Sequence, residues 1–234
     1  MKILALDTSS QAASCCLLED ERPVGLFYMD AKLTHSQTIL PMVEQVLKAC
    51  QQKLADVDLF AVSNGPGSFT GLRIGTAAVK GMAHGLGKPC VGLSTLEGLA
   101  YNLVGHGGIV CAVMDARCNQ VYTALFDLDN DLRRITEDMA ISLEELQDIL
   151  KKQEKDVILV GDGAVLCYNS IKEQENCRVR LAPAHQRLQN AYSVGLAVLR
   201  GHREEAVQAR ELAPSYLRLP QAQRELLKKQ QIEK

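Results

Sequence analysis

A strand ending in aspartate, a polar turn and a returning strand occur twice in this chain, and that doubling constrains the fold more than any other feature. The first copy lies in KILALDTSSQAASCCLLED, with Ile3–Leu6 apolar, a polar turn over Asp7–Gln11 and a return over Ser14–Leu18. The second lies in GIVCAVMDARCNQVYTALFDLDNDL. Aligning Leu4–Asp7 with Ala112–Asp115 puts an aspartate at the end of both first strands, each followed by a turn of similar length. Short apolar runs bounded by turn residues are the pattern of buried strands.

Between the copies the chain alternates. A third strand is expected over Val24–Met29. A helix follows in THSQTILPMVEQVLKACQQ, capped by Thr34 or Ser36, with Ile39, Val43, Val46, Leu47 and Cys50 on one face. Leu40 and Met42 fall outside that stripe, and Pro41 fits only close to the first turn, since deeper in a helix it would kink it. Then come the strand DLFAVSNGPG, a helix over Ser68–Gly87, the strand PCVGLS and a short helix over Thr95–Val104. After the second hairpin the pattern predicts a helix over Ser142–Lys152, a strand in DVILVGDG, a helix near Ala164–Gln174 and another in AYSVGLAVLRGH. The charged tail QAQRELLKKQQIEK reads as a helix or a frayed end. Two units with the same opening make an α/β protein of two lobes, each a mixed sheet with flanking helices. That is the layout of the actin-like, ribonuclease-H-like fold. GHGG interrupts the pattern and sets the boundary, giving lobes 1–104 and 105–234.

Composition narrows the chemistry. The net charge of −2 gives no global reason to bind nucleic acid, and with no tryptophan there is little to stack on bases. No apolar run reaches membrane-spanning length. Eight cysteines without a CxxC pair read as buried thiols in a reducing compartment, so the expected location is the cytoplasm. Five histidines include no HxxxH pair, and no GxSxG elbow occurs, so neither a metal site nor a catalytic residue is assigned.

In actin-like folds the two hairpin turns grip the phosphates of ATP, which makes Asp7 and Asp115 candidates for a nucleotide site. The competing reading is that each aspartate forms its turn by bonding downstream amides. VGDGA (Val160–Ala164) has the strand-to-helix glycine pattern seen near adenosine sites in such folds, but a tight turn is the favoured reading. The other unusual stretch is SNGPGSFTGLRIGTAAVKGMAHGLG. Gly71, Gly75, Ala78 and Gly85 lie near one face of its helix with Met82 among them, although each interior glycine costs about 1 kcal/mol relative to alanine. Close backbone approach is the return, either to the chain's own sheet or, from the side carrying Ala77 and Gly81, to another subunit. The residues leave both open.

ILALDTSS, HSQTILPMV, SNGPGSFTGLRIG, GLSTLEGLA, MDARCNQVYTALF and PSYLR, in this order and along essentially the whole chain, resemble the TsaB (YeaZ) family. The resemblance implies an actin-like protein that is not itself an enzyme. It would be the companion of TsaD, which transfers a threonylcarbamoyl group to the adenosine beside the anticodon of tRNAs reading codons that begin with A. The small ATPase TsaE would join the pair, tRNA would be met only through the complex, and a homodimer would form when TsaD is absent. The implied interface lies on the two first-lobe helices, at His35, Leu40, Met42, Gly71, Gly75, Ala78 and Met82. Asp115 and Arg117 of MDAR match the family motif and, with Asp7, are the residues expected to face ATP or ADP at the complex interface. This subunit would require no cofactor of its own. The alternative is an autonomous actin-like ATPase or kinase that uses Asp7 and Asp115.

Overall fold

The computed structural model describes residues 1–172 and 178–218. Its first sheet holds β1 (Lys2–Asp7), β2 (Ala13–Glu19), β3 (Arg22–Met29), β4 (Leu59–Gly65) and β5 (Cys90–Ser94), in the order β3-β2-β1-β4-β5. β1, β2 and β3 pair antiparallel, while β4 and β5 join parallel. The second sheet holds β6 (Ile109–Asp115), β7 (Gln120–Asp127), β8 (Arg133–Arg134), β9 (Met139–Ser142), β10 (Val157–Val160) and β11 (Val179–Leu181). Its order is β11-β10-β6-β7-β8, with β9 also on β7, and the hairpin β6–β7 is again extended by parallel strands on the side of β6. Both central strands are buried on both faces, which explains their unbroken apolar runs.

Helices cover the sheets. On one face of the first sheet lie α1 (His35–Ala49) and α2 (Phe69–Leu86), whose Ile39, Met42, Val43, Val46, Val79 and Ala83 pack onto Leu4, Leu6, Cys15, Phe60 and Val62. Met42 is only 3% exposed, so the expectation that it stands off the core is corrected. Ile39, Met42, Val43, Val46 and Leu47 follow the i, i+3, i+4, i+7, i+8 spacing of one helical face. Pro41 lies inside the helix, beyond its first turn, at an exposed position. There water can reach the carbonyl that its missing N–H leaves unpaired.

The lobes exchange helices. α3 (Thr95–Tyr101) follows β5 of the first sheet, yet Leu96, Leu99 and Ala100 pack on Val110, Ala112, Ala124 and Phe126 of the second. α6 (Ala191–Ala197) comes from the end of the chain and packs Ala191, Val194 and Ala197 on Ile3, Ala5, Cys16 and Leu18 of the first. The division at residue 104 therefore separates the strands of the two sheets but not the helices packed on them. α4 (Leu143–Lys151) and α5 (Ala164–Ile171) cover the remaining face of the second sheet. Glu173 and Gln174, at the expected end of α5, and the tail from Gln221 onward lie outside the described residues.

A charged cluster fastens this exchange. Glu97 of α3 accepts from Arg134 (2.9 Å) and meets His202 Nε2 at 2.6 Å, while Arg134 also pairs with Asp138 and His202 with Glu205. The bond to Glu97 raises the His202 imidazolium from about 6.5 to about 9, against the opposing effect of burial. Burial alone would push Glu97 upward, but His202 and Arg134 outweigh it and hold its carboxyl below the usual range. The sign follows for His202. Its stabilisation is complete below the unfolded value near 6.5 and lost as pH rises through about 9. The loss is on the order of 3 kcal/mol. Denaturation midpoints are expected to fall between pH 7 and 9.5 in the natural chain and to fall much less in His202→Gln. Equal slopes would place the loss elsewhere.

Candidate functional site

The two hairpin turns face each other across a cleft of 640 Å³. One wall is the first turn, Ser9–Gln11, together with the start of α2, Gly67–Thr70. The other is Asp115–Arg117 with Tyr122 and Asp162, and Ser215–Arg218 line it as well. Ser68 caps α2, its Oγ accepting from Gly71 N at 3.3 Å, and its own N–H donates to Ser9 O at 2.7 Å. The positive end of an 18-residue helix is thereby held against the first turn and into the cleft.

The two aspartates have different fates. Asp7 is 2% exposed. Its Oδ1 accepts from Ser9 N (2.9 Å) and Ser9 Oγ (2.7 Å), and its Oδ2 accepts from Ser63 Oγ at 2.5 Å. Burial raises its carboxyl above the ordinary value, against those hydrogen bonds. Asp7 is absent from the cleft lining and has its oxygens committed to the turn and to Ser63 of β4, so the expectation that it faces a nucleotide is corrected. Asp115 is exposed and lines the cleft, and its Oδ1 accepts from the backbone N–H of Arg117 at 2.7 Å. Asp115 thus bonds a downstream amide of its own turn, and among the described residues Arg117 forms no ion pair. Arg117, Cys118 and Asn119 are all left-handed, with φ of 62°, 54° and 55°. Such a run is unusual without glycine.

Sequence reasoning missed Asp162. It stands open to the cleft on one side while the walls crowd it on the others, and this partial desolvation raises its carboxyl to about 6. Gln189 Nε2, 3.4 Å away, opposes that rise, and the nearby charge of Asp115 adds to it. The lost signal was the repeat itself. β10 is the counterpart of β4, so the turn after it, Gly161–Gly163, occupies the place of Asn64–Gly67 and meets the cleft. Gln189 is 1% exposed and spans the lobes, since its Oε1 accepts from Ser10 Oγ at 2.7 Å.

The residues expected at an interface divide sharply. His35, expected at the interface, is half-buried and tied inward, its Nε2–H donating to Ser10 O at 2.7 Å. Gly71 and Gly75 are buried against the first turn. A Cβ on Gly71 would lie 2.0 Å from Thr8 O, and one on Gly75 would lie 2.4 Å from Thr8 Oγ1. They are removed from the interface set, because the close approach their missing side chains permit is made inside the chain. Ala78 and Met82 are half-buried and pack on the first-lobe core. Leu40 is 53% exposed. Beside it in the fold, α2 turns Ala77 and Gly81 outward, and Gly81 has no atom within 4 Å of where its Cβ would be.

Comparisons with known proteins extend this picture. The family model described as "TsaD: tRNA N6-adenosine threonylcarbamoyltransferase" matches residues 21–226. The chain is 32% identical over 231 residues to the tRNA threonylcarbamoyladenosine biosynthesis protein TsaB of Bacillus subtilis, covering 98% of this chain and 100% of that one. The solved structure of YeaZ from Pseudomonas aeruginosa superposes with a TM-score of 0.76 at 28% identity, covering 92% of this chain and 99% of that one. The Acidaminococcus fermentans (R)-2-hydroxyglutaryl-CoA dehydratase component A, at 13% identity, shares the fold alone, with a TM-score of 0.52 over 87% of this chain and 99% of that one. The doubled layout is thus the actin-like fold. No helix of the described residues is long and apolar enough to cross a membrane.

Proposed function

The chain belongs to the TsaB family, and on that premise we propose that it serves tRNA threonylcarbamoyladenosine biosynthesis as a non-catalytic subunit that pairs with TsaD. TsaD carries out the transfer, and TsaE joins the pair. The outward sides of α1 and α2, with Leu40, Ala77 and Gly81, form the pairing surface, which two copies of this chain share when TsaD is absent. tRNA is met through the complex. One observation carries the non-catalytic reading. Asp7, the acid an actin-like ATPase would turn toward metal and water, is buried with its oxygens bonded to Ser9 and Ser63. The rival reading, an autonomous ATPase or kinase, needs that carboxylate in the cleft.

A nucleotide fits the cleft only in part. The start of α2 and the exposed Arg117 offer positive charge suited to phosphate, whereas Asp7 offers nothing. In this reading ATP or ADP sits where this chain and its partners meet, with Asp115 and Arg117 on this chain's side.

Light scattering after gel filtration tests both levels. The chain alone is expected to run as a homodimer and, mixed with TsaD of the same cell, as a one-to-one heterodimer. A monomer indifferent to TsaD overturns the pairing. With MgATP and TsaE added, a larger complex is expected to form and to be weakened by Arg117→Ala. An unchanged complex removes Arg117 from the nucleotide side.

A further inference from the structure

The segment before Ala213 is anchored to the first lobe. Val207 bridges to Cys90, Ala209 and Leu212 are buried in the core, and Lys80 Nζ donates to the carbonyls of Arg210 and Leu212 at 3.2 and 2.8 Å. From there the chain does not turn away into solvent. Asn64 Nδ2 donates to Ala213 O at 3.3 Å, and Ser215 N donates to Asn64 O at 2.7 Å. The fit is close, because a Cβ on Gly65, whose φ is +142°, would lie 2.0 Å from Ser215 O. Tyr216 then stacks on Phe69 with ring centroids 4.8 Å apart, and its hydroxyl accepts from Arg73 Nε at 3.1 Å. The Arg73 guanidinium itself lies 3.9 Å from the Phe69 ring centre, so ring, ring and cation form one stack.

Past Tyr216 the chain crosses to the other lobe. Arg218 Nη1 donates to Ala116 O at 3.2 Å, in the same left-handed turn that carries Asp115 and Arg117. Ser215–Arg218 thus run across the cleft and line it. The two ends are unequal. The first-lobe end is held by backbone bonds, a ring stack and tight packing against Gly65. Among the described residues, the second-lobe end is held by the Arg218 hydrogen bond to a carbonyl. Tyr216 and Leu217 remain 40% and 38% exposed, so they are not locked into either core.

We propose that Ala213–Arg218 is a strap across the inter-lobe cleft, hinged on the first lobe at Asn64 and latched to the second by Arg218 on Ala116. Release of the latch swings Leu217 and Arg218 off the cleft while Ser215 and Tyr216 keep their place, and this opens the wall formed by Ser9–Gln11 and the start of α2. Access to the cleft is therefore regulated by this chain's own segment, whatever enters it.

The test needs no partner or ligand, and its failure is distinct from failure of the pairing reading. Hydrogen exchange on the full natural chain and on Arg218→Ala is compared over Ser9–Gln11, Ser68–Thr70 and Leu217–Arg218. The latch predicts at least threefold faster exchange in these segments in Arg218→Ala, with β1 and β6 unchanged. Arg218→Lys, which keeps a cationic N–H donor, is expected to stay close to the natural chain. A second readout uses the lack of native tryptophan. Leu217→Trp places a single reporter on the moving part, and acrylamide should quench it at least twofold more when Arg218→Ala is added. Equal exchange and equal quenching with and without Arg218 overturn the strap. So does faster exchange spread evenly through both sheets, which marks general loosening.

Discussion

Gly75→Glu is expected to leave no folded monomer, and Gly71→Ala to lower the melting temperature by about 6–12 °C. Thr8 is completely buried, and both glycines sit on it. At Gly71 the obstacle is a backbone carbonyl 2.0 Å from the added carbon, and Thr8 Oγ1 donates back to Gly71 O at 2.8 Å. Neither side can rotate away. The helix must retreat, drawing Leu72, Val79 and Ala83 off the sheet, and overpacking of this kind costs about 3 kcal/mol. In a chain of this size that corresponds to about 2–4 °C per kcal/mol. At Gly75 the new side chain also brings a charge against Thr8 and Val62, where nothing compensates it. The combined cost approaches the roughly 5–15 kcal/mol that holds a domain folded. Gly81→Glu, on the same helix, has open space around it and is expected to change stability by about 0.5 kcal/mol or less. Thermal melts followed by circular dichroism separate the two. A Gly75→Glu protein melting within two degrees (roughly the reading error) of the natural chain would remove the close approach from the account.

That contrast explains what could be read from the sequence. The glycine block announced close approach, and the repeat of LALD and AVMD announced two lobes with an aspartate at each hairpin. Strand and helix order followed from local pattern because β1, β4, β6 and β10 are each buried on both faces. What was illegible depended on contacts between distant parts of the chain. Thr8 meets Gly71, Asp162 meets Gln189, and Arg218 meets Ala116, and no periodicity encodes such pairs. The same limit hid the helix exchange, in which α3 leaves its own lobe and α6 returns to the first. Met42 was a smaller failure of phase. It lies one step around from Ile39 on the buried face, and a stripe drawn through Val43 and Cys50 passed it by. The interface set erred for a related reason, since small residues mark close approach without saying whose backbone approaches.

With Gly71, Gly75 and Met42 assigned to the interior, the proposed pairing surface contracts to the outward residues of α1 and α2, and Leu40→Glu is expected to weaken pairing at least 100-fold. Leu40 is the most exposed large apolar residue on either helix. Burying such a side chain at an interface stabilises it by about 1.5–3 kcal/mol, and placing a carboxylate there adds the cost of desolvating it. Together these exceed the roughly 2.7 kcal/mol that a hundredfold change in Kd requires. Gly81→Glu acts by a different route, because a smooth helix surface admits another backbone closely and a long side chain holds it off. Both substitutions leave the core untouched, so the melting temperature of the separated subunit should stay near that of the natural chain. Sedimentation at several concentrations, alone and with TsaD, reads the outcome. If both variants still dimerise and still bind TsaD, these helices are not the surface. If self-association is lost while TsaD binding persists, the two kinds of partner use different faces, and the shared-surface reading fails even though the chain still pairs. If both contacts are lost together, a single apolar patch serves both, and the homodimer competes directly with the complex for it.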